Sequence, residues 1–252
     1  MLSRSLTALV YGSSKVGKST LSVTSPAPRL YMDVESASRF LPINGIMWDP
    51  TKEPPPEYDG TWDTAVVATR DWATVESAYS WLASGKHPFK SFIIDSISEL
   101  QQRYIDKVAG RGQMRQQDWG DAFRTVSGLV RDIRDLTMHP TQPLECVVLV
   151  AMSKQVDGKW KPHAQGQLGT TLPYYLDLVG YLYTTDETNE LTGEVTELRK
   201  LLTRPTPMFD AGERVGGKLP RIVDDPNLSD MLDTIFGKKP EVPAVVATVE
   251  DE

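Results

Sequence analysis

The sequence predicts an α/β fold in which a mainly parallel β-sheet is flanked by helices, with an antiparallel hairpin near the C-terminus. Apolar runs rich in β-branched residues occur at residues 5–11, 29–33, 91–95, 144–152 and 178–184. Segments of helical or loop character separate these runs, as a parallel sheet requires. A phosphate-binding loop directly follows the first run, and its place between a strand and a helix supports the same fold.

That loop is a complete G-x-x-x-x-G-K-[ST] motif and predicts binding of a nucleoside triphosphate. Its glycines let backbone N–H groups turn towards the phosphates, while Lys18 adds a positive charge near the β and γ oxygens. The Ser19 hydroxyl can ligate Mg²⁺, and a helix that begins near Gly17 adds its positive end. The expected cofactors are therefore ATP and Mg²⁺, held by Gly12, Ser13, Ser14, Lys15, Val16, Gly17, Lys18, Ser19 and Thr20.

The second strand ends in two acidic residues, Asp33 and Glu35. In a parallel sheet this strand can lie beside the phosphate loop, which would place one carboxylate where a water attacks in line with the γ-phosphate. We assign Glu35 as the water-activating base and Asp33 as a supporting or capping residue. The alternative is that both acids merely begin a helix at residues 36–41.

A third acidic residue, Asp95, ends the strand that follows two further segments of the chain. Residues 42–60 are rich in Pro, Trp, Asp and Glu and predict a surface excursion, because three consecutive prolines preclude regular structure. Residues 72–84 have the apolar spacing of an amphipathic helix. The following strand ends at Asp95, and the chemistry needs such a carboxylate to hold the metal's water shell opposite Ser19. We therefore predict Ser19 and Asp95 as the metal-site residues.

Two later segments are candidates for binding nucleic acid. Residues 103–134 are rich in arginine and include a glycine-rich loop at 110–117 that carries Arg111 and Arg115. Residues 154–167 carry Lys159, Trp160 and Lys161, where the aromatic ring could stack on a base while the cations hold the backbone. The alternative for the first segment is an ordinary charged helix face, in which aspartates neutralise the arginines.

The C-terminal part predicts a hairpin, a helix and a tail. Residues 197–203 and 208–223 indicate the antiparallel hairpin at one edge of the sheet. Residues 227–236 predict a last helix that ends at Gly237. Residues 238–252 are small or acidic and lack an amphipathic period, so they predict a disordered acidic tail. Residues 1–237 then form the single predicted domain.

The composition of the chain argues against several classes of protein. The net charge of −7 argues against a protein whose entire surface attracts nucleic acid, although a local basic groove remains open. The sequence has neither the long apolar run of a membrane span nor a secretory leader, so we expect a cytoplasmic protein that does not bind membranes. Cys146 lies in an apolar run and predicts a buried, inert thiol. The histidines lack the spacing of a metal site.

With these motifs, residues 5–235 resemble the RecA-like core ATPases, and specifically the compact phage-encoded RecA-like proteins used in recombination and single-strand annealing. The phosphate loop, the strand endings at residues 33–35 and 95, and the run at 149–153 carry the resemblance. Residues 169–177 and 211–214 are looser landmarks. The resemblance implies a RecA-like P-loop NTPase core, Glu35 as the catalytic carboxylate, and Ser153 or Lys154 as a sensor that reports the γ-phosphate to DNA-binding loops.

Many RecA-like hexamers and filaments also carry a Lys-x-Arg pair in the late hairpin that reaches the neighbouring subunit's nucleotide. Arg214 fits the Arg position, but Gly212 replaces the Lys, and Lys218 or Arg204 are the candidate substitutes. The resemblance thus implies Arg214 as a further catalytic residue that acts in trans within a homo-oligomer, a ring or a filament. The alternative is that Arg214 is an ordinary solvated charge.

The sequence therefore predicts a DNA-stimulated ATPase of the host cytoplasm that binds single-stranded DNA and assists phage recombination or strand annealing. A single-strand-binding or replication protein is a further expected partner. Two alternatives remain open: an ATP-dependent assembly or loading protein that acts on a protein partner, and a small-molecule P-loop kinase. The acids at residues 33 and 35 favour activation of water over transfer to another acceptor.

Overall fold

Twelve strands and six α-helices occur in the part of the chain that the computed structural model describes, residues 4–110, 112–188, 193 and 195–238. The strands are β1 (Leu6–Gly12), β2 (Arg29–Asp33), β3 (Gly45–Met47), β4 (Thr64–Ala68), β5 (Ser91–Asp95), β6 (Cys146–Ala151), β7 (Ser153–Val156), β8 (Lys159–Pro162), β9 (Leu178–Thr188), β10 (Val195–Leu202), β11 (Gly212–Glu213) and β12 (Ile222–Asp224). The helices are α1 (Lys18–Ser22), α2 (Trp72–Ala83), α3 (Ile97–Ala109), α4 (Gln116–Asp135), α5 (Leu168–Tyr175) and α6 (Leu228–Phe236).

One large sheet organises the fold, with the strand order β12-β10-β9-β1-β6-β5-β2-β4-β3 and with β11 paired to β9. The strands from β9 across to β3 all run parallel. The strands β10, β11 and β12 are antiparallel to their neighbours. The predicted fold class is therefore confirmed: a mainly parallel sheet flanked by helices, with antiparallel strands near the C-terminus.

Helices cover both faces of the sheet, which explains why its central strands are apolar throughout. Along β1, Leu9 and Tyr11 pack on the face that also buries residues of α2, α3, α4 and α5. Ala8 and Val10 point to the opposite face, which carries α1 and α6. The phosphate loop at the end of β1 is therefore anchored by a strand that is buried on both sides.

The prediction of a surface excursion at residues 42–60 is wrong in part. Residues 45–47 form β3 at the edge of the sheet, and the side chain of Trp48 is 3% exposed. The rings of Trp48 and Trp62 lie near Phe89, with centroids 5.8 and 6.3 Å away. The indole N–H groups of both tryptophans donate to backbone carbonyls of the same segment. Burial of large aromatic surface with a satisfied N–H thus outweighs the tendency of the prolines towards open loops.

The predictions for Cys146 and the last helix agree with the structure. Cys146 is buried, and burial raises the pKa of its thiol to about 12, which fits the expected inert thiol. The last helix runs as predicted, with Asn227 as its N-cap and Gly237 as its C-cap. The acidic tail beyond Lys238 lies outside the described residues. None of the helices in the described ranges is long and apolar enough to cross a membrane.

Candidate nucleotide-binding site

The phosphate loop is packed closely against strand β9, and this packing explains its first glycine. A methyl group added at Gly12 would lie 2.3 Å from the carbonyl oxygen of Leu182, so no larger residue fits there. Gly17 has a φ of 95°, a left-handed conformation that glycine adopts without strain. The loop between these glycines is exposed at Ser13, Ser14 and Lys15. Its backbone is therefore open to an incoming anion.

Lys18 folds back over the loop. Its ammonium donates hydrogen bonds to the carbonyl oxygens of Gly12, at 3.1 Å, and Ser13, at 2.7 Å. Burial lowers the pKa of Lys18, while the charges of Asp95 and Glu35 oppose this shift. Helix α1 spans only five residues, so its dipole contributes less to phosphate binding than the sequence suggested. Lys18 therefore brings a positive charge directly to the loop carbonyls.

Asp95 ends strand β5 and is almost fully buried, with 4% of its surface exposed. The hydroxyl of Tyr31 donates a hydrogen bond of 2.6 Å to its carboxylate. Burial raises the pKa of Asp95, whereas hydrogen bonds from Ser19 and Tyr31 and the charge of Lys18 lower it. The structure therefore brings together the two residues predicted for the metal, Ser19 and Asp95, and adds Tyr31 as a residue that fixes the carboxylate.

Glu35 follows strand β2, but that strand does not lie beside β1 as expected. Strands β6 and β5 separate them, because β2 pairs with β5 on one side and β4 on the other. Glu35 is nevertheless close enough to Lys18 and Asp95 for its charge to act on both. The buried hydroxyl of Ser96 donates a hydrogen bond to its carboxylate. Glu35 is thus an exposed residue that is held at the edge of the site.

Asp33 has a separate, local role. Its carboxylate accepts hydrogen bonds from the backbone N–H groups of Ala37 and Ser38 and from the hydroxyl of Ser38. These contacts fit the supporting or capping residue predicted from the sequence. The helix considered for residues 36–41 is reduced to one 3₁₀ turn at Ser38–Phe40, so Glu35 does not begin an α-helix.

The donor set suits a nucleotide with a divalent cation. Mg²⁺ is usually held by one or two carboxylates together with substrate phosphates, rather than by a complete cage of side chains. Asp95 and the Ser19 hydroxyl supply oxygen ligands of that kind beside a loop that leaves its backbone exposed. No cluster of three or more His, Cys, Asp or Glu residues suited to a metal occurs among the described residues.

The two residues predicted as sensors lie beyond the end of β6, which separates β1 from β5. Ser153 opens the short hairpin of β7 and β8, where it pairs with Pro162. The ammonium of Lys154 donates to the carbonyl of Ala164 at 2.8 Å and lines a cavity of about 650 Å³. Lys154 therefore belongs to this first cavity, and its role as a sensor stays a prediction.

Arg214 lines the same cavity. Its guanidinium pairs with Asp177 at 2.9 Å and donates to the carbonyl of Tyr175 at 3.0 Å. Asp177 also accepts from Thr7, at the start of β1, so Arg214 lies at the opposite end of that strand from the phosphate loop. The two residues considered in place of the missing Lys are also engaged within the chain. Lys218 donates to the carbonyl of Ile235, and Arg204 donates to the carboxylate of Glu213. A role of Arg214 in trans would require it to leave Asp177.

The residues predicted to bind DNA are mostly engaged within the chain. Arg111 lies outside the described residues. Arg115 forms an ion pair with Asp118 at 2.9 Å, and Lys159 forms one with Asp210 at 3.3 Å. The backbone of Trp160 is bonded to residues 208 and 210 and to the Tyr11 hydroxyl. The side chains of Lys161 and Trp160 have no hydrogen bond or ion pair among the described contacts, and Lys161 lines the first cavity.

The two candidate segments do meet, at a second cavity of about 310 Å³ that shares Gly166 with the first. Its polar lining is made of glutamines and its aromatic lining of Trp119 and Phe123, without a charged side chain. Gln101 of α3, just before the first segment, holds the second segment in place, because its side chain donates to the Gln165 carbonyl and accepts from the Gln165 N–H. The further lining residues are Gln116, Gly120, Ala122 and Gln167.

Three residues of the site were missed at the level of sequence. Tyr31 stands two residues before Asp33 in a strand, and the period of two placed it on one face with the strand-terminal acid. Ser96 directly follows Asp95 and is the N-cap of α3, a position that the preference of serine for helix N-caps could have indicated. Arg199 of β10 lies against Gly17, and no local signal predicts this contact because it depends on the antiparallel pairing of β9 and β10.

Most of the chain matches the model of a known protein family. A family model described as "AAA domain" matches residues 4–215. The matched region includes the phosphate loop, Glu35, Asp95 and Arg199, and it ends just after Arg214. No curated protein matches the chain.

Proposed function

Because this chain belongs to the AAA domain family of P-loop ATPases, we propose that it binds and hydrolyses ATP with Mg²⁺ and couples this cycle to single-stranded DNA. The convergence of Lys18, Asp95 and Glu35 at the phosphate loop carries the ATPase part of the proposal. Recombination or strand annealing in a phage context is the corresponding biological role, as the resemblance to RecA-like proteins implies.

Each residue of the site has a distinct task in this reaction. The loop amides and Lys18 bind and orient the triphosphate, because Lys18 can exchange its bonds to the Gly12 and Ser13 carbonyls for phosphate oxygens. Ser19 and Asp95 would hold Mg²⁺, which neutralises charge on the phosphate oxygens when bound. Tyr31 keeps the Asp95 carboxylate in place.

Glu35 would accept the proton of the attacking water at one of its carboxylate oxygens. Ser96 donates to Oε1, which leaves Oε2 as the oxygen available for a water. The exposed position of Glu35 allows solvent to reach that oxygen. A general base of this kind must lie within hydrogen-bond reach of the proton that it removes. Ser96 thus acts as a positioning residue for the base.

The pair of cavities around Gly166 supports the DNA part of the proposal. Lys161 in the first cavity can meet a backbone phosphate, while Trp119 in the second offers an aromatic face that is partly exposed, at 39%. Neutral glutamines around Trp119 can donate to and accept from base edges. This combination of cations for the backbone and aromatics for bases is typical of proteins that bind single strands.

The test of the DNA part is phosphate release from ATP with and without an oligodeoxythymidine, together with the affinity for that oligonucleotide. We expect the DNA to raise the rate of release in the wild type. Trp119→Ala should weaken DNA binding by about 5- to 100-fold, since one stacked base contributes roughly 1–3 kcal/mol. Trp119→Phe keeps an aromatic face and is the matched control, which should stay close to the wild type. An ATPase indifferent to DNA would instead favour the assembly or loading function.

We also propose that the active form is a homo-oligomer in which Arg214 reaches a neighbouring nucleotide. The ATPase rate per subunit should then rise with protein concentration, and Arg214→Ala should remove this rise. The measurement is phosphate release over a dilution series of both proteins. If the rate per subunit is constant on dilution and unaffected by Arg214→Ala, Arg214 does not act in trans and only pairs with Asp177.

A further inference from the structure

Arg199 occupies a fixed position on strand β10. Its backbone pairs with Thr184 of β9, and its carbonyl accepts a hydrogen bond of 2.8 Å from the N–H of Asp225. Leu201, two residues later, is fully buried on the sheet face that carries α1 and α6. Since side chains alternate along a strand, Arg199 points to this same face. The strand therefore directs Arg199 to the side of the sheet on which the phosphate loop leads into α1.

The side chain of Arg199 rests on the phosphate loop itself. A methyl group added at Gly17 would lie 3.1 Å from Cδ and 3.2 Å from Nη1 of Arg199. The absence of a side chain at Gly17 thus allows the guanidinium to approach the loop. Gly17 immediately precedes Lys18, and backbone N–H groups of such loops bind phosphate oxygens. The guanidinium therefore lies beside the predicted path of the triphosphate.

No carboxylate neutralises this guanidinium within the described residues, although the chain carries more acidic than basic side chains. The adjacent Lys200 differs clearly, because it forms ion pairs with Glu187 at 3.2 Å and with Asp224 at 3.1 Å. Arg204, further along the chain, pairs with Glu213. Arg199 is partly buried and yet lacks such a partner. A partly buried cation of this kind is suited to an external anion.

We propose that Arg199 is a second cationic ligand of the nucleotide phosphates, supplied by the same subunit as Lys18. This inference rests on the proposed binding of ATP and adds a residue to that site. A guanidinium offers several N–H donors in a planar fork, which suits phosphate oxygens. Arg199 differs from Arg214 in its task, because it reaches its own phosphate loop and requires no neighbouring subunit.

The test is the equilibrium affinity of the full chain for Mg-ATP and for Mg-ADP, measured with hydrolysis slowed by the Glu35→Gln change. Arg199→Ala should weaken nucleotide binding by about 10- to 100-fold, the range of a charge-assisted hydrogen bond. Arg199→Lys keeps the positive charge but lacks the planar guanidinium, so it should recover part of the affinity for nucleotide. Lys200→Gln removes a cation from the next position of the same strand and should bind nucleotide like its parent.

Two further measurements separate the outcomes. Thermal unfolding of Arg199→Ala and of the milder Arg199→Gln shows whether each variant is folded, and a loss of affinity in a folded variant supports the inference. An effect that stays constant on dilution supports action within one subunit. If folded Arg199→Ala and Arg199→Gln bind nucleotide like the parent while Lys18→Ala does not, Arg199 is not a ligand. If Lys18→Ala also binds like the parent, the proposed nucleotide site itself is wrong.

Discussion

Replacement of Glu35 by Gln is expected to lower the rate of ATP hydrolysis by about 10²- to 10⁴-fold, the usual contribution of a general base. The amide is nearly isosteric and can still accept the hydrogen bond from Ser96, but it cannot take a proton from water. ATP should still bind, because Lys18 and the loop amides remain in place. The measurement is phosphate release under single-turnover conditions, paired with equilibrium binding of ATP.

A nearby carboxylate provides the control for this prediction. Glu99 lies in the first turn of α3, where it pairs with Arg103 at 3.6 Å. Glu99→Gln should hydrolyse ATP at close to the wild-type rate. If Glu35→Gln keeps its full rate of hydrolysis, Glu35 is not the base, and Asp33 cannot replace it because its carboxylate is occupied by Ala37 and Ser38.

The second large effect is expected from Lys18→Ala, which should weaken the binding of Mg-ATP by at least about 100-fold. Lys18 is the main cation of the loop, and each hydrogen bond between charged groups contributes roughly 1.5–3 kcal/mol. Removal of Lys18 also leaves Asp95 and Glu35 without the positive charge that they share. The measurement is a titration with a fluorescent ATP analogue in the presence of Mg²⁺.

Lys52→Ala is the control for a general loss of positive charge. Lys52 is exposed and pairs with Asp49 at 2.7 Å, in a segment separate from the phosphate loop. This variant should bind the analogue as the wild type does. Equal affinities of Lys18→Ala and the wild type would contradict the assignment of the loop as the phosphate site.

The sequence contained enough information to predict the central strands and the chemistry at their ends. Strands that are buried on both faces appear as continuous apolar runs, so β1, β2, β5 and β6 could be located within a residue or two. The phosphate loop and Asp95 follow two of these runs directly. Glu35 could be named for its chemistry, but the order of strands between it and the loop could not be derived from local patterns.

Other features depend on contacts between distant parts of the chain, which no local pattern encodes. Strand β3 was missed because its short, half-exposed segment is stabilised by tertiary packing of Trp48 and Trp62 around Phe89. Arg199 meets Gly17 only because β10 pairs with β9. Lys159 likewise pairs with the distant Asp210. The pairing of Arg115 with Asp118 is local, by contrast, and matches the charged helix face that the sequence left open as an alternative.

We expect this chain to hydrolyse ATP at the phosphate loop. The first measurement is steady-state phosphate release from ATP by the purified full chain, beside Lys18→Ala and with and without Mg²⁺. Release by the wild type should require Mg²⁺, and release by Lys18→Ala should fall to background. Release that is equal in both proteins, or absent from the wild type with both ATP and Mg²⁺ present, would contradict this expectation.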